Sequence, residues 1–103
     1  MKFAICNELY GEQPFHEVCK SVAKIGYTGL EVAPFTLASL VTDLTTEQRS
    51  FIRQQAEDAG LKIIGLHWLL AKTTGFHLNA PDPEVRGSTG AYLSELVHCC
   101  ADL

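Results

Sequence analysis

Two glycines divide the chain into a repeated unit of helix, turn and short apolar strand. Gly26 and Gly60 each follow an amphipathic helical segment, and β-prone apolar stretches come soon after them, at 28–32 and 61–67. A similar stretch, residues 2–6, opens the chain. Glycine suits the position after a helix because it adopts the left-handed conformation that closes the last turn. The order β-α-β-α-β-α predicts right-handed crossovers and a parallel sheet, the α/β class.

Helix starts and inner faces follow from capping residues and from apolar spacings of three and four. Pro14 suits the first turn of the first helix, Thr45 with Gln48 is a capping-box signature for the second, and Asp82 with Pro83 suits the start of the third. The predicted inner faces are Phe15, Val18, Cys19, Val22 and Ile25; Phe51, Ile52, Ala56 and Ala59; and Val85, Tyr92, Leu93, Leu96, Val97 and Cys100.

Three βα units are too few to complete either common parallel architecture. An eight-stranded barrel needs about 250 residues, and a doubly wound sheet usually has about five or six strands, whereas this chain has 103 residues. A three-stranded sheet also leaves two edges unpaired. We therefore expect residues 1–103 to be the N-terminal part of a single (β/α)8 TIM-barrel domain, incomplete in this chain. Assembly of several copies through the open sheet edges is the alternative.

Charge and hydropathy argue against two classes of partner. Lys and Arg total 8 against 12 Asp and Glu, which gives a formal net charge of −4, and the basic residues form no stripe. This balance argues against nucleic acid as a partner. The longest apolar stretch, 63–71, contains a histidine and is far shorter than the roughly 18 residues that span a bilayer. With no signal-peptide pattern at the start, we expect a cytoplasmic protein without a membrane partner.

The cysteines suggest packing rather than chemistry. Cys6, Cys19, Cys99 and Cys100 form no C-x-x-C pair, and the last two are adjacent. That arrangement suits neither a zinc knuckle nor an ordinary disulfide framework. We expect reduced cysteines that pack as small apolar side chains.

Each predicted strand leads into residues with functional chemistry. The first is followed by Asn7, the second contains Glu31 and leads to Phe35, and the third ends in His67 and Trp68. Functional side chains of parallel α/β proteins gather at the carboxyl ends of the strands, because the βα loops there vary freely. These five residues are the predicted substrate-binding residues, and no residue is assigned a catalytic role.

Alternation along the strands assigns these residues to faces of the sheet. The residues assigned to the helix-covered face are Leu30, Val32, Ile64 and Leu66, and those assigned to the opposite, inward face are Glu31, Ala33, Ile63, Gly65 and His67. A carboxylate and an imidazole facing one cavity suit acid–base catalysis, metal ligation or hydrogen bonding to a polyhydroxylated ligand. Gly65 would leave room for that ligand, and Trp68 could form an apolar wall. The alternatives are a structural carboxylate and a core histidine.

Motifs for several other reactions are missing. The sequence has no G-x-G-x-x-G, no P-loop and no G-x-S-x-G elbow, so dinucleotide binding, nucleoside triphosphate binding and serine hydrolysis lack their usual signals. No pair of spaced His or acidic residues makes a metal site by itself.

Three stretches resemble a known family. "AKIGYTGLEVAPF", "AEDAGLKIIGLHWLL" and "APDPEVRGS" are similar to the xylose isomerase-like TIM-barrel superfamily, in its branch of sugar phosphate isomerases and epimerases. The similarity covers essentially the whole chain and is strongest at 23–35 and 56–70.

The resemblance implies isomerisation or epimerisation of a sugar or sugar phosphate at the carboxyl face of the barrel. It further implies a divalent metal (Mn, Mg, Co or Zn) that bridges neighbouring ligand oxygens while carboxylates move the proton. The metal ligands are expected on later strands, beyond residue 103. Glu31 and His67 carry over as pocket-lining residues, and the chain alone is expected to be inactive.

Two other functions remain open from the sequence. One is a non-catalytic α/β module that self-associates through its sheet edges. The other is a nuclease that resembles endonuclease IV, in which a histidine of the third strand, His67 here, would bind zinc. The acidic balance of charge argues against that second alternative.

Overall fold

Three short strands lie side by side in the order in which they occur along the chain, and all run parallel. The computed structural model describes every residue from 1 to 103. The elements in order are β1 (Ala4–Cys6), α1 (Phe15–Ile25), β2 (Gly29–Val32), α2 (Thr46–Asp58), β3 (Lys62–Leu66) and α3 (Pro83–Asp102). Short 3-10 helices lie at Asn7–Tyr10, Pro34–Thr36 and Val41–Asp43. The α/β class and the order of elements are confirmed.

The predicted starts of α2 and α3 are confirmed by individual hydrogen bonds, whereas Pro14 lies just before α1 and not in its first turn. At the start of α2 the Gln48 N–H donates to Thr45 Oγ1 over 3.2 Å, and the Thr45 N–H donates to Gln48 Oε1 over 2.8 Å. This capping box satisfies backbone donors that the start of a helix leaves free. The Asp82 carboxylate accepts from the Glu84 N–H at the start of α3. Gly26 ends α1 with φ of 109°, where a side chain would be strained.

The core lies between one face of the sheet and the helices, in two adjoining clusters. The first contains Val18, Cys19, Val22, Leu30, Val32, Ala56 and Leu61. The second contains Val41, Ile52, Tyr92, Leu96, Cys99 and Leu103. Ile63 and Leu66 of β3 pack against both clusters, so this strand connects them. We call the opposite face of the sheet the inner face.

The sequence-based assignment of faces is wrong at two neighbouring positions of β3. Alternation puts Ile63 on the inner face and Ile64 against the helices, and the structure has the reverse. Ile63 pairs with Leu30 and packs into the core. Ile64 is exposed, and its Cγ2 lies 3.1 Å from the place that a Cβ on Gly29 would occupy.

A β-bulge is the physical reason for this reversal. The register between β2 and β3 shifts between Leu30 and Glu31, so one residue of β3 has no partner. An extra residue of this kind interrupts the alternation of side chains. Beyond the bulge Gly65 pairs with Glu31 and Leu66 pairs with Val32. Gly65 and Leu66 therefore occupy the faces that the sequence predicted for them.

The helices bury narrower stripes than the apolar residues suggest. Ile25, Phe51 and Val97 are predicted core residues, and all three are exposed. The buried residues of α3 recur at spacings of three and four: Thr89, Tyr92, Leu96 and Cys99. Val97 lies about 100° around the helix axis from Leu96, off this stripe. None of the helices combines the length and the apolar character needed to cross a lipid bilayer.

Two of the cysteines lie entirely inside the core. All four cysteines are free, as predicted, and Cys19 and Cys99 are fully buried. Burial raises the pKa of the Cys19 thiol from 9.0 to about 11 and raises the pKa of Cys99 in the same direction. The cause is desolvation, which disfavours the charged thiolate.

We predict that the protein loses stability above about pH 9 through Cys19. Because its pKa is higher in the folded state, its contribution is fully present below the unfolded value of 9.0 and is lost as the pH rises through the folded value of about 11. The shift corresponds to a loss of roughly 2–3 kcal/mol at most. Urea unfolding from pH 8 to pH 11 should show a steeper decline for the wild type than for Cys19→Ala. Parallel pH curves would contradict the prediction.

Candidate functional site

The three parallel strands end at one edge of the sheet, and the predicted site residues follow them there. Cys6 at the end of β1 pairs with Glu31 in β2, and Glu31 pairs with Gly65 in β3. The His67 N–H donates to the Val32 carbonyl over 2.9 Å, which extends the pairing of β3 by one residue. The register thus fixes both Glu31 and His67 at this carboxyl edge.

Glu31 and His67 form a half-exposed pair on the inner face. His67 Nδ1 lies 3.5 Å from Glu31 Oε2, and the two side chains are 39% and 38% exposed. Their mutual contact limits the orientations of both groups, while the exposed atoms remain free to meet a ligand. A carboxylate accepts hydrogen bonds, and an imidazole can donate and accept. The pair is therefore suited to hydroxyl groups and to proton transfer.

Two glycines of the inner face, Gly29 and Gly65, differ in the space that a side chain would have. A Cβ on Gly29 would lie 3.0 Å from the Ala4 Cβ and 3.1 Å from Ile64 Cγ2, so close packing between strands requires glycine there. A Cβ on Gly65 would meet no atom within 4 Å. Gly65 is the partner of Glu31, so its missing side chain leaves open space beside the carboxylate.

Aromatic rings continue from His67 across the carboxyl edge. The His67 ring stacks on Trp68 with centroids 5.7 Å apart, and Trp68 lies 6.4 Å from Phe35 at 40°. The Lys72 ammonium lies 4.5 Å from the centre of the Phe35 ring. Trp68 and Lys72 have φ of 56° and 60°, a left-handed region that is costly for bulky residues. Trp68 is 55% exposed. This strained residue therefore places a large ring at the protein surface.

Asn7 connects the first two βα loops. It is only 4% exposed; its Oδ1 accepts from the Ala33 N–H over 2.9 Å, and its Nδ2 donates to Thr36 Oγ1 over 2.7 Å. The Thr36 hydroxyl in turn donates to the Ala33 carbonyl over 2.7 Å. Both ends of the amide are thereby engaged, and the turn that carries Phe35 is fixed. The geometry makes Asn7 a positioning residue; substrate contact by Asn7 stays a prediction.

A cleft of about 440 Å³ opens on the carboxyl edge. We call it the edge cleft, and its walls include Asn7, Glu8, Glu12, Phe35, Trp68 and Lys72. Glu31 and His67 do not line it, so the inner-face pair and the edge cleft are neighbouring but separate features, with Trp68 in contact with both. Glu12 and Lys72 were not predicted from the sequence, because each lies in a loop several residues from its strand end.

A divalent metal has no complete site among these residues. No group of three His, Cys, Asp or Glu side chains in the chain is arranged to hold a metal ion. The inner-face pair offers one carboxylate and one imidazole, fewer protein ligands than catalytic metal sites use. The metal implied by the family resemblance is therefore not accommodated by residues 1–103 alone.

Comparison with known proteins shows the fold. No protein-family model and no curated protein matches the chain. A D-psicose 3-epimerase solved in the presence of D-fructose superposes with a TM-score of 0.75 and 22% identity, over 99% of this chain and 34% of that one. The D-psicose 3-epimerase of Clostridium cellulolyticum H10, solved with D-tagatose, gives 0.77 and 21%, with the same coverage. The chain spans about a third of the length of these proteins and has the fold of a corresponding part of a TIM-barrel epimerase.

We predict that Asn7→Ala destabilises the protein by about 2 kcal/mol. The substitution leaves the Ala33 N–H without its buried acceptor, and an unsatisfied buried donor costs about 1–3 kcal/mol. Gln13→Ala is the matched control because Gln13 lines the same cleft but is exposed, and it should change stability by less than about 0.5 kcal/mol. Urea unfolding measures both variants. Equal losses would show that the Asn7 hydrogen bonds do not hold the two loops.

Proposed function

We propose that this chain forms one wall of the substrate site of a sugar isomerase or epimerase built on a TIM barrel. The observation that carries the proposal is the pairing of Glu31 with His67, half exposed at the carboxyl edge beside the open space at Gly65. Active sites of TIM-barrel enzymes lie at this edge. The role of the chain in that site is to contact and orient the sugar.

The chemistry of the pair matches a polyhydroxylated ligand. The Glu31 carboxylate can accept a hydrogen bond from a sugar hydroxyl, and the His67 imidazole can hold a second oxygen or the proton that moves during isomerisation. Trp68 presents an exposed ring beside His67, and such a ring can cover the apolar face of a sugar. Together these groups would fix the positions of the sugar hydroxyls and the face of the sugar that lies against Trp68.

The structural comparisons support a ketose as the ligand class. The two solved structures are named as D-psicose 3-epimerases and were determined with D-fructose or D-tagatose. The divalent metal of the resemblance would be held by ligands outside residues 1–103, so this chain is assigned substrate contacts only.

A second candidate function is self-association without catalysis. β1 and β3 each have one unpaired edge, and Phe3 and Ile64, near those edges, are exposed. Unpaired edges with apolar neighbours favour pairing with another chain. Sedimentation at several protein concentrations separates the two candidates, since this second function requires a stable dimer or larger assembly.

We expect the isolated chain to bind D-fructose weakly, on the order of millimolar, because it supplies only part of a site. Titration followed by NMR should shift the resonances of Glu31, Gly65, His67 and Trp68. Loss of one polar contact should weaken binding roughly fivefold to tenfold in Glu31→Gln and in His67→Ala. His16→Ala is the matched control because His16 is exposed on α1. A His67→Ala variant that loses stability but keeps its sugar affinity would identify His67 as a structural residue.

Substitutions at the two inner-face glycines test the same proposal in a second way. Gly65→Ala meets no neighbouring atom and should leave the free energy of unfolding within about 1 kcal/mol of the wild type, yet it should weaken sugar binding by narrowing the space beside Glu31. Gly29→Ala should instead destabilise the fold through its 3.0 Å contact with Ala4. Unchanged sugar affinity in Gly65→Ala would show that the ligand does not use that space.

A further inference from the structure

We propose that the edge cleft binds a small organic ammonium ion and that Lys72 competes for the same place. This site goes beyond the proposed sugar contacts, because Glu31 and His67 do not line the cleft and Trp68 is the one residue that the two sites share. A volume of about 440 Å³ lies within the range of small-molecule sites. Phe35 and Trp68 form an aromatic wall of this cleft.

The ammonium group of Lys72 already lies against the aromatic wall. The Lys72 Nζ lies 4.5 Å from the centre of the Phe35 ring, a distance at which the ring face attracts a cation. Trp68 stands beside Phe35, with ring centroids 6.4 Å apart. The ring pair is thus oriented so that a cation in the cleft can contact Phe35, and Lys72 shows how an alkylammonium fits there.

The charges in the cleft are not paired with one another. Glu8, Glu12 and Lys72 all line it, and none of the three takes part in any ion pair of the protein. Two carboxylates against one ammonium leave a formal charge of −1 on the walls. This excess favours a cationic ligand over a phosphate or a carboxylate.

Lys72 can leave the ring without disturbing the core. Its side chain is exposed, and its ammonium group lies against the Phe35 ring. The backbone at Lys72 and Trp68 is left-handed, and strained residues of this kind persist at ligand clamps and switch regions. A ligand with its own ammonium would replace the Lys72 cation on Phe35 and bring Glu8 and Glu12 a counter-charge.

The test uses Trp68, the only tryptophan in the chain, as a fluorescent reporter. The wild type is titrated with choline, and so are two variants. Lys72→Met removes the competing charge and leaves an unbranched side chain that is one atom shorter. Lys24→Met makes the same change at an exposed site on α1. Choline should bind Lys72→Met roughly tenfold more tightly than the wild type. Lys24→Met should bind choline like the wild type. Equal affinities for all three proteins would overturn the proposal.

A neutral analogue tests whether charge is recognised. 3,3-Dimethylbutan-1-ol has the shape of choline without its charge and should bind Lys72→Met at least roughly tenfold more weakly than choline. Glu12→Gln in the Lys72→Met background should weaken choline binding and leave the binding of the alcohol unchanged. Equal binding of choline and the alcohol would overturn the proposal, because the cleft would then be only an apolar hollow.

A measurement on the wild type covers the case in which Lys72→Met does not fold. Saturation transfer from the aromatic protons of the protein should reach the choline methyl groups, and added tetramethylammonium should abolish the transfer. Absence of transfer at millimolar choline would contradict the proposal. These experiments contain no sugar, and Glu31→Gln should not change choline binding, so their result is independent of the proposed function.

Discussion

The offset register between β2 and β3 determines what the carboxyl edge presents. Ile64 is the extra residue of the bulge, and beyond it Gly65 pairs with Glu31. In an unbroken ladder Ile64 would pair with Glu31 and Gly65 would pair with Val32, toward the helices. The bulge therefore places the residue without a side chain beside the carboxylate and returns Leu66 to the core, where it contacts both clusters. His67 then reaches Glu31 at 3.5 Å.

The rest of the edge is held by a few specific contacts rather than by a large core. Asn7 fixes the turn that carries Phe35 through two short hydrogen bonds, and the Phe35 ring contacts both Trp68 and Lys72. The left-handed backbone at Trp68 and Lys72 is strained, which raises the free energy of this arrangement. A strained backbone persists where neighbouring contacts hold it. Here those contacts are the ones that the Phe35 ring makes with Trp68 and Lys72.

The regular parts of the fold could be predicted from the sequence, because each has a local cause. Gly26 and the Thr45–Gln48 capping box mark helix ends by backbone chemistry that any fold would use, and the structure reproduces them. The positions of Glu31 and Gly65 on the inner face were also predicted from alternation. That success depended on the placement of the bulge, which alternation cannot reveal.

The errors come from long-range geometry. The reversal of Ile63 and Ile64 results from pairing with another strand, and the exposure of Phe51 and Val97 results from how narrow a stripe each helix buries. Thr89 was missed because a hydroxyl does not look like a core residue. It is buried because it donates to the Val85 carbonyl and accepts from the His77 N–H, which satisfies its polar atom. Lys72 and Glu12 line the edge cleft because of the conformation of their loops, which the local sequence pattern does not reveal.

We propose that a sugar binds on the inner face at the carboxyl edge, between Glu31 and His67 and beside Trp68. The most direct measurement is of intermolecular nuclear Overhauser effects between a ketohexose such as D-tagatose and the isotope-labelled chain. We expect contacts from sugar protons to the His67 and Trp68 rings and to the Gly65 α-protons. Contacts confined to the amino edge of the sheet, near Lys62, or the absence of any contact at saturating sugar, would contradict it.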